Sequence, residues 1–268
     1  MAGRRAFMSP DQLLRHFDDG SLWPGGSGFD VPLAYEHALT VRGLRIARGE
    51  KPLGFKIGFT NRNIWPVYQV FAPIWGTVYD TTVTMCEGSG TVSLSHTCQP
   101  RLEPETVFGL AATPPARATL QQLFDCIAWV APGFEVVQSH QPGWKFAAPD
   151  TIADGGLHAR LLVGQRLPLS QVARDAEDLE KQLAHARVAL CCAGEKKEEG
   201  VGANVLDGPL HALKHFLEAL RDCPGAPDLL PGDLVTTGTW TDAWPVAAGQ
   251  TWSAQFDPPL VPLEIKFT

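Results

Sequence analysis

Glu103, Glu105 and Glu135 are the residues of this chain whose types and spacing could do chemistry. In RLEPETVFGL (101–110) the first two are one residue apart, so an extended backbone projects both from one face while Pro104 projects from the other. The apolar run that follows carries the segment toward a core, where an unpaired carboxylate is costly. GFEVVQSH places Glu135 between Phe134 and Val136, a further acid in a short apolar strand. Three glutamates converging from two strands would form an all-oxygen site for a hard divalent cation, Mg²⁺ or Mn²⁺, with positions left open to water or substrate. The plain alternative is a solvent-facing edge strand, which Pro104 would suit because proline cannot donate to a ladder.

The rest of the composition narrows the partners. A chain of 268 residues with 44% hydrophobic and 19% charged residues is globular. Its formal net charge of −7 gives no footprint for nucleic acid or an anionic membrane. No apolar run approaches a membrane span, and Arg4-Arg5 is not followed by an apolar signal core, so a cytoplasmic location is expected. Six cysteines without a C-x-x-C pair are expected to be reduced thiols, not a zinc or redox site.

Which elements position the acids? Residues 1–51 are expected to form a helical region packed on a catalytic domain at 52–268. Ser9-Pro10-Asp11-Gln12 is a capping box and Gly20 a stop; a second helix is predicted from about 32 to 48. After Pro52 the period changes to two, so Phe55, Ile57 and Phe59 share one face and Lys56 the other. Strands are expected near 74–79, 91–96 and 102–111, then a helix over 119–131 ended by Pro132. A strand at 134–139, a short helix before Asp154, a strand near 157–163, a helix over 209–221 and three C-terminal strands complete the pattern. EKKEE (195–199) reads as a solvated turn. Such strand-rich order predicts an α+β fold with a mixed or antiparallel sheet.

Five segments, GFKIGFTNR, RLEPETVFGL, GFEVVQSH, DTIADGGLHARLLVG and PGDLVTTGTW, occur in the order found in one family. With them the chain resembles the 2-keto-4-pentenoate hydratase and 2-oxo-3-enedioate decarboxylase branch of the fumarylacetoacetate hydrolase superfamily. The resemblance implies a mixed β-roll that carries Mg²⁺ or Mn²⁺ on Glu103, Glu105 and Glu135. It also implies a small unsaturated 2-oxo or 2-hydroxy acid substrate from aromatic catabolism, and a homo-oligomer, with an enzyme of the same pathway as a further partner. The family lysine falls on Lys56, expected near the substrate's C2 oxygen with a lowered pKa, and a family acid falls on Asp80, where a turn-forming aspartate is the alternative.

Where many hydratases read Asp-Asn-Ala-Ser, this chain reads Asp154-Gly155-Gly156-Leu157-His158. His158 is either an acid/base or substrate-carboxylate clamp, or a surface histidine after a Gly-Gly turn. His37 stands where relatives often carry glutamine, and Arg62 could bind a carboxylate or make a surface ion pair. Hydration of a 2-hydroxydienoate is the leading expectation, followed by decarboxylation of a 2-oxo-3-enedioate. An acylpyruvate-type C–C hydrolase would need His37 or His158 as base, and a catalytically silent relative would only bind a small acid.

Overall fold

Ser9 Oγ accepts the Gln12 N–H at 3.3 Å and Gln12 Oε1 accepts the Ser9 N–H at 2.8 Å, so the expected capping box opens the first helix and Gly20, at φ 62°, ends it. The computed structural model describes residues 7–62, 65–69 and 71–268; Arg4 and Arg5 lie outside them. The helices are α1 (Pro10–Asp19), α2 (Val31–Ala47), α3 (Trp65–Tyr68), α4 (Leu120–Phe124), α5 (Ala148–Ala153), α6 (Leu169–Val172), α7 (Ala176–His185) and α8 (Pro209–Asp222). The first seven strands are β1 (Pro52–Gly58), β2 (Ile74–Tyr79), β3 (Val83–Met85), β4 (Ser89–Val92), β5 (Arg101–Leu110), β6 (Ile127–Val137) and β7 (His158–Val163). The rest are β8 (Leu167–Pro168), β9 (Arg187–Cys192), β10 (Glu195–Val201), β11 (Leu234–Thr239), β12 (Trp244–Pro245), β13 (Thr251–Phe256) and β14 (Leu263–Phe267). Among the described residues no helix is long and apolar enough to cross a membrane.

A nine-stranded sheet in the order β2-β1-β11-β5-β6-β7-β3, with β12 on β5 and β8 on β6, curls into a half-barrel. It is mixed: β1 runs parallel to β11 and β3 to β7, while β5, β6 and β7 are antiparallel neighbours. A second sheet, β10-β9-β13-β14-β4, faces it. Alternation along β5 sorts its side chains. Leu102, Phe108 and Leu110 join the large core with Leu190, Ile265 and Phe216, whereas Val107 joins a smaller core with Val78, Ala131, Leu161, Val163 and Leu234 inside the curl. Glu103 and Glu105 share that inner face with Val107, so the acids stand on an apolar floor.

Two expected elements come out differently. The helix predicted over 119–131 is only α4, closed by a Thr119–Gln122 capping box, and residues 127–137 form the long strand β6. Pairing of Ile127–Ala131 with the second half of β5 outweighs local helix propensity, and Pro132 is tolerated mid-strand with its carbonyl accepting the Gly164 N–H at 2.8 Å. EKKEE is the edge strand β10, joined to β9 by an Ala193-Gly194 turn with φ 50° and 83°. Its charges suit an exposed edge, where they discourage pairing with another chain.

The N-terminal helices are fastened to the sheet by a charge cluster. Glu50 accepts from Arg45 at 2.7 and 3.0 Å, from Arg48 at 2.6 Å, and from the Thr81 hydroxyl in the turn after β2. The Arg45 guanidinium, 5% exposed, also lies 3.8 Å from the Tyr79 ring centroid. Burial by itself would raise the Glu50 carboxyl; the Arg45, Thr81 and Arg48 hydrogen bonds outweigh it and hold it down to about 2, against an ordinary value of 4.5. Because the folded-state value is depressed, the Glu50 contribution to stability is complete above that ordinary value and is lost as pH falls toward the folded one. Glu50→Gln is expected to cost about 3–5 kcal/mol at neutral pH, since Arg45 stays buried without its counter-charge. Urea unfolding of both proteins should show this gap narrowing in acid.

Candidate active site

Five adjacent strands or strand starts each contribute one part of the site. In the β5–β6 register Glu103 lies directly opposite Glu135, and Glu105 opposite Gly133, so the like-charged side chains face one another across the pair. β1 brings Lys56 opposite Thr236 of β11, and β7 begins with His158 beside Val137. Carboxylate oxygens of Glu103, Glu105 and Glu135 lie within 4.8 Å of one another. Glu105 and Glu135 are fully buried, and Glu103 lines a cleft of about 420 Å³ in front of them. The edge-strand alternative for Pro104 fails, because β5 lies between β11 and β6. A bulge in β11 between Thr236 and Thr239 falls beside this stretch, and Pro104 O accepts the Trp240 N–H at 3.1 Å.

That bulge is also what holds Glu105. Its Gly238, at φ 99°, donates its N–H to Glu105 Oε2 at 2.8 Å, and a Cβ there would meet Thr60 Oγ1 at 2.1 Å. On the other side His158 Nδ1 lies 2.8 Å from Glu135 Oε1. Each buried glutamate therefore has one oxygen tied by a protein donor. Among the described residues the other two, Glu105 Oε1 and Glu135 Oε2, accept no hydrogen bond, though Lys56 Nζ stands 3.2 Å from Glu135 Oε2.

The electrostatics follow from this crowding. Burial pushes the Glu103 carboxyl up to about 8, with Lys56 pulling it down and Glu105 and Glu135 pushing it further up. Burial likewise raises Glu105 and Glu135, and for Glu105 the neighbouring Glu135 charge adds to it. For Lys56 burial acts downward, but the charges of Glu135, Glu103 and Glu105 prevail and raise it. The lowered pKa expected of Lys56 is thus corrected: its neighbours are anions, which raise it. Three ionised carboxylates facing one ammonium would leave two negative charges uncompensated; Glu105 Oε1 has no donor and Glu135 Oε2 has only the Lys56 ammonium 3.2 Å away. This donor set fits a hard divalent cation.

The Gly155-Gly156 departure has a steric cause. Both glycines have positive φ, 64° and 70°, and a Cβ on Gly76 of β2 would sit 1.9 Å from the Gly155 carbonyl oxygen. The loop presses close enough for Gly156 O to accept a hydrogen bond from Lys56 Nζ at 2.8 Å. Its anchor is Asp154, which accepts from His140 N at 3.0 Å and lies 2.6 Å from His140 Nδ1.

Four other candidates lie away from the cleft. His158 is 2% exposed and sits behind Glu135, with Nε2 2.9 Å from Thr82 Oγ1, so it is not a surface histidine. Burial, then the charges of Lys56, Arg45 and Arg160, hold its pKa well below the usual value. Asp80 is exposed in a turn, where Oδ1 accepts the Lys51 N–H at 2.9 Å. His37 lies on α2 with Nδ1 3.0 Å from Leu33 O and its ring 4.4 Å from Phe29. Arg62 forms an exposed pair with Asp207 at 2.7 Å. None of these four residues lines the cleft.

The cleft brings in residues the sequence reading passed over. Arg101 lies on the inner face of β5, two residues before Glu103, and its guanidinium is 4.3 Å from the Trp144 ring centroid. Among the described residues it makes no ion pair within 4 Å. The alternation that grouped Glu103 with Glu105 also groups Arg101 with them. Glu198 of β10 lines the facing wall with Asp242, accepting from Asp242 N at 3.2 Å and Trp244 Nε1 at 2.5 Å. Nothing in the local sequence marks that contact.

No family model matches the chain. It is 30% identical over 236 residues to a 2-keto-4-pentenoate hydratase of Burkholderia vietnamiensis (strain G4 / LMG 22486), covering 87% of this chain and 84% of the relative. It is 29% identical over 197 residues to a 4-oxalocrotonate decarboxylase of Pseudomonas sp, covering 72% of each. The solved 4-oxalocrotonate decarboxylase from Pseudomonas putida G7, complexed with magnesium and adipate, superposes with a TM-score of 0.85 over 97% of this chain and 95% of that one; at 24% identity it carries the fold. Sequence kinship and fold together place the chain in the 2-keto-4-pentenoate hydratase and 4-oxalocrotonate decarboxylase family of lyases.

Proposed function

We propose that this chain is a divalent-metal-dependent hydratase that converts a 2-hydroxydienoate of the 2-keto-4-pentenoate type into a 4-hydroxy-2-oxo acid. The observation that carries the reading is the meeting of Glu103, Glu105 and Glu135 with Lys56 at the end of an open cleft. The three glutamates would hold Mg²⁺ or Mn²⁺, the two buried ones through the oxygens not tied by Gly238 N–H and His158. When bound, such an ion supplies Lewis acidity at the substrate's C1 carboxylate and C2 oxygen, the electron sink that both hydration and loss of CO₂ require.

The chain's own groups then divide the work. Lys56, steadied by Gly156 O, donates a hydrogen bond toward the C2 oxygen from the β1 side. Gly238 N–H and His158 keep the carboxylates fixed, so little reorganisation is needed as charge develops. Trp144 and Phe146 supply an apolar wall for the hydrocarbon part of the substrate. Neither His37 nor His158 faces the cleft, so the acylpyruvate hydrolase reading lacks the base it would need.

A second reading, decarboxylation of a 2-oxo-3-enedioate, is favoured by Arg101, a cation of the cleft with no acidic partner within 4 Å among the described residues. Residues two apart on a strand are separated by about 7 Å, so a diacid with its oxo-acid head at the glutamates could reach the guanidinium with its far carboxylate.

Glu103→Gln and Glu135→Gln should each weaken Mn²⁺ binding by at least about 100-fold while the circular dichroism spectrum is kept; unchanged affinity would reject the site. Lys56→Ala is expected to lower turnover by about 10²-fold or more with Mn²⁺ affinity within a few-fold, and full turnover in that variant would remove Lys56 from the reaction. Oxalate, which presents only the chelating head, should compete with either substrate. Arg101→Gln should reduce CO₂ release from an enedioate by about 10–100-fold while sparing hydration of a dienoate. Equal losses on both would dismiss the decarboxylase reading.

A further inference from the structure

His158 is buried to 2% exposure, uses both ring nitrogens, and lines not the cleft in front of the glutamates but a small pocket of about 50 Å³ under the N-terminal helices. A histidine at that depth needs a reason. Its Nδ1 is 2.8 Å from Glu135 Oε1, and an ionised carboxylate can only accept, so Nδ1 carries the proton. Nε2 is then the acceptor, 2.9 Å from the Thr82 hydroxyl, for whose one proton Tyr79 O at 3.1 Å competes. Thr82 is itself immobilised: Oγ1 accepts the Tyr79 N–H at 3.2 Å, its N–H donates to Tyr79 O at 2.9 Å, and its carbonyl accepts the Leu161 N–H at 2.8 Å. Next to it, the Thr81 hydroxyl is tied to Glu50. A rigid turn therefore aims the imidazole, and the imidazole aims one oxygen of Glu135.

We propose that His158, braced by Thr82, is a positioning residue that holds Glu135 in a one-oxygen binding mode, reserving Oε1 and presenting Oε2 alone to the divalent ion. The inference rests on the reading of the three glutamates as the metal site. It assigns the histidine of the Asp154-Gly155-Gly156-Leu157-His158 segment a role behind the ligand instead of beside the substrate. It also has a consequence for ion choice. Larger Ca²⁺ favours carboxylates that can bind through both oxygens, whereas Mg²⁺ and similar small ions prefer a compact octahedral set. By blocking Oε1, His158 biases the site toward the smaller ion.

The test uses the two amides that mimic the two ring nitrogens. Asparagine places its N–H₂ where Nδ1 stands, and glutamine places its own where Nε2 stands. Mn²⁺ binding to the full-length protein, followed by electron paramagnetic resonance, should remain within about threefold of the parent in His158→Asn and weaken by about 10–100-fold in His158→Gln. In His158→Gln the affinity for Ca²⁺, measured by competition against Mn²⁺, should fall less than that for Mn²⁺, because both Glu135 oxygens become available. Thr82→Val, which removes the brace but keeps the volume, should shift the same ratio in the same direction and serves if His158→Gln does not fold. Equal Mn²⁺ losses in the asparagine and glutamine variants, tracking their melting temperatures with no change in the Ca²⁺ to Mn²⁺ ratio, would leave His158 a packing residue and overturn the proposal. A parent protein that binds no Mn²⁺ would instead bring down the metal reading on which it stands.

Discussion

Two fully buried glutamates and a third at the rim of a cleft share a space with a single ammonium, and the rest of the architecture is arranged around that imbalance. Carboxylates in such a place stay ionised only if positive charge compensates them, and otherwise they take up protons. The fold does not relieve this repulsion with a second lysine or arginine at short range. Instead it supplies one neutral donor to each buried carboxylate, Gly238 N–H to Glu105 and His158 to Glu135, and leaves Glu105 Oε1 without a donor and Glu135 Oε2 facing only the Lys56 ammonium at 3.2 Å. That is the electrostatic signature of a place kept for a small cation.

The framework serves this arrangement at several levels. The curl of the large sheet turns the inner faces of β1, β5 and β6 toward one another, so residues distant in sequence share a few ångströms. The bulge in β11 does two things at once, easing Trp240 onto Pro104 and turning a backbone N–H toward Glu105. The glycine pair at 155 and 156 lets a loop close over the Lys56 stem without steric conflict. Behind the sheet, Arg45 and Glu50 lock α2 to the turn that carries Thr81 and Thr82, so the N-terminal helices are tied to the turn against which His158 rests.

Hydration and decarboxylation can share such a centre because both need the same electron sink at the oxo-acid head. Further along the cleft, Arg101 lies on Trp144, and Glu198 and Asp242 line the same cleft. The head of the site is built from strand interiors and the tail from strand ends and loops. Loops tolerate change more readily than paired strands.

The sequence by itself determined the chemistry-bearing face of β5, because a period of two assigns Glu103 and Glu105 to one side whatever the rest of the chain does. It also determined both N-terminal helices, whose caps are local hydrogen bonds, and it contained enough ordered motif to identify the family. It could not determine that 127–137 is a strand, since pairing with β5 is a non-local gain that local propensity does not register. Nor could it decide among the histidines and arginines. His158, His37, Asp80 and Arg62 are each compatible with a catalytic or a structural role until their neighbours are known. Only the tertiary structure put His158 behind Glu135, Arg62 on Asp207 and Arg101 in the cleft, because charge and hydrogen-bond partners are set by proximity across strands and not by spacing along the chain.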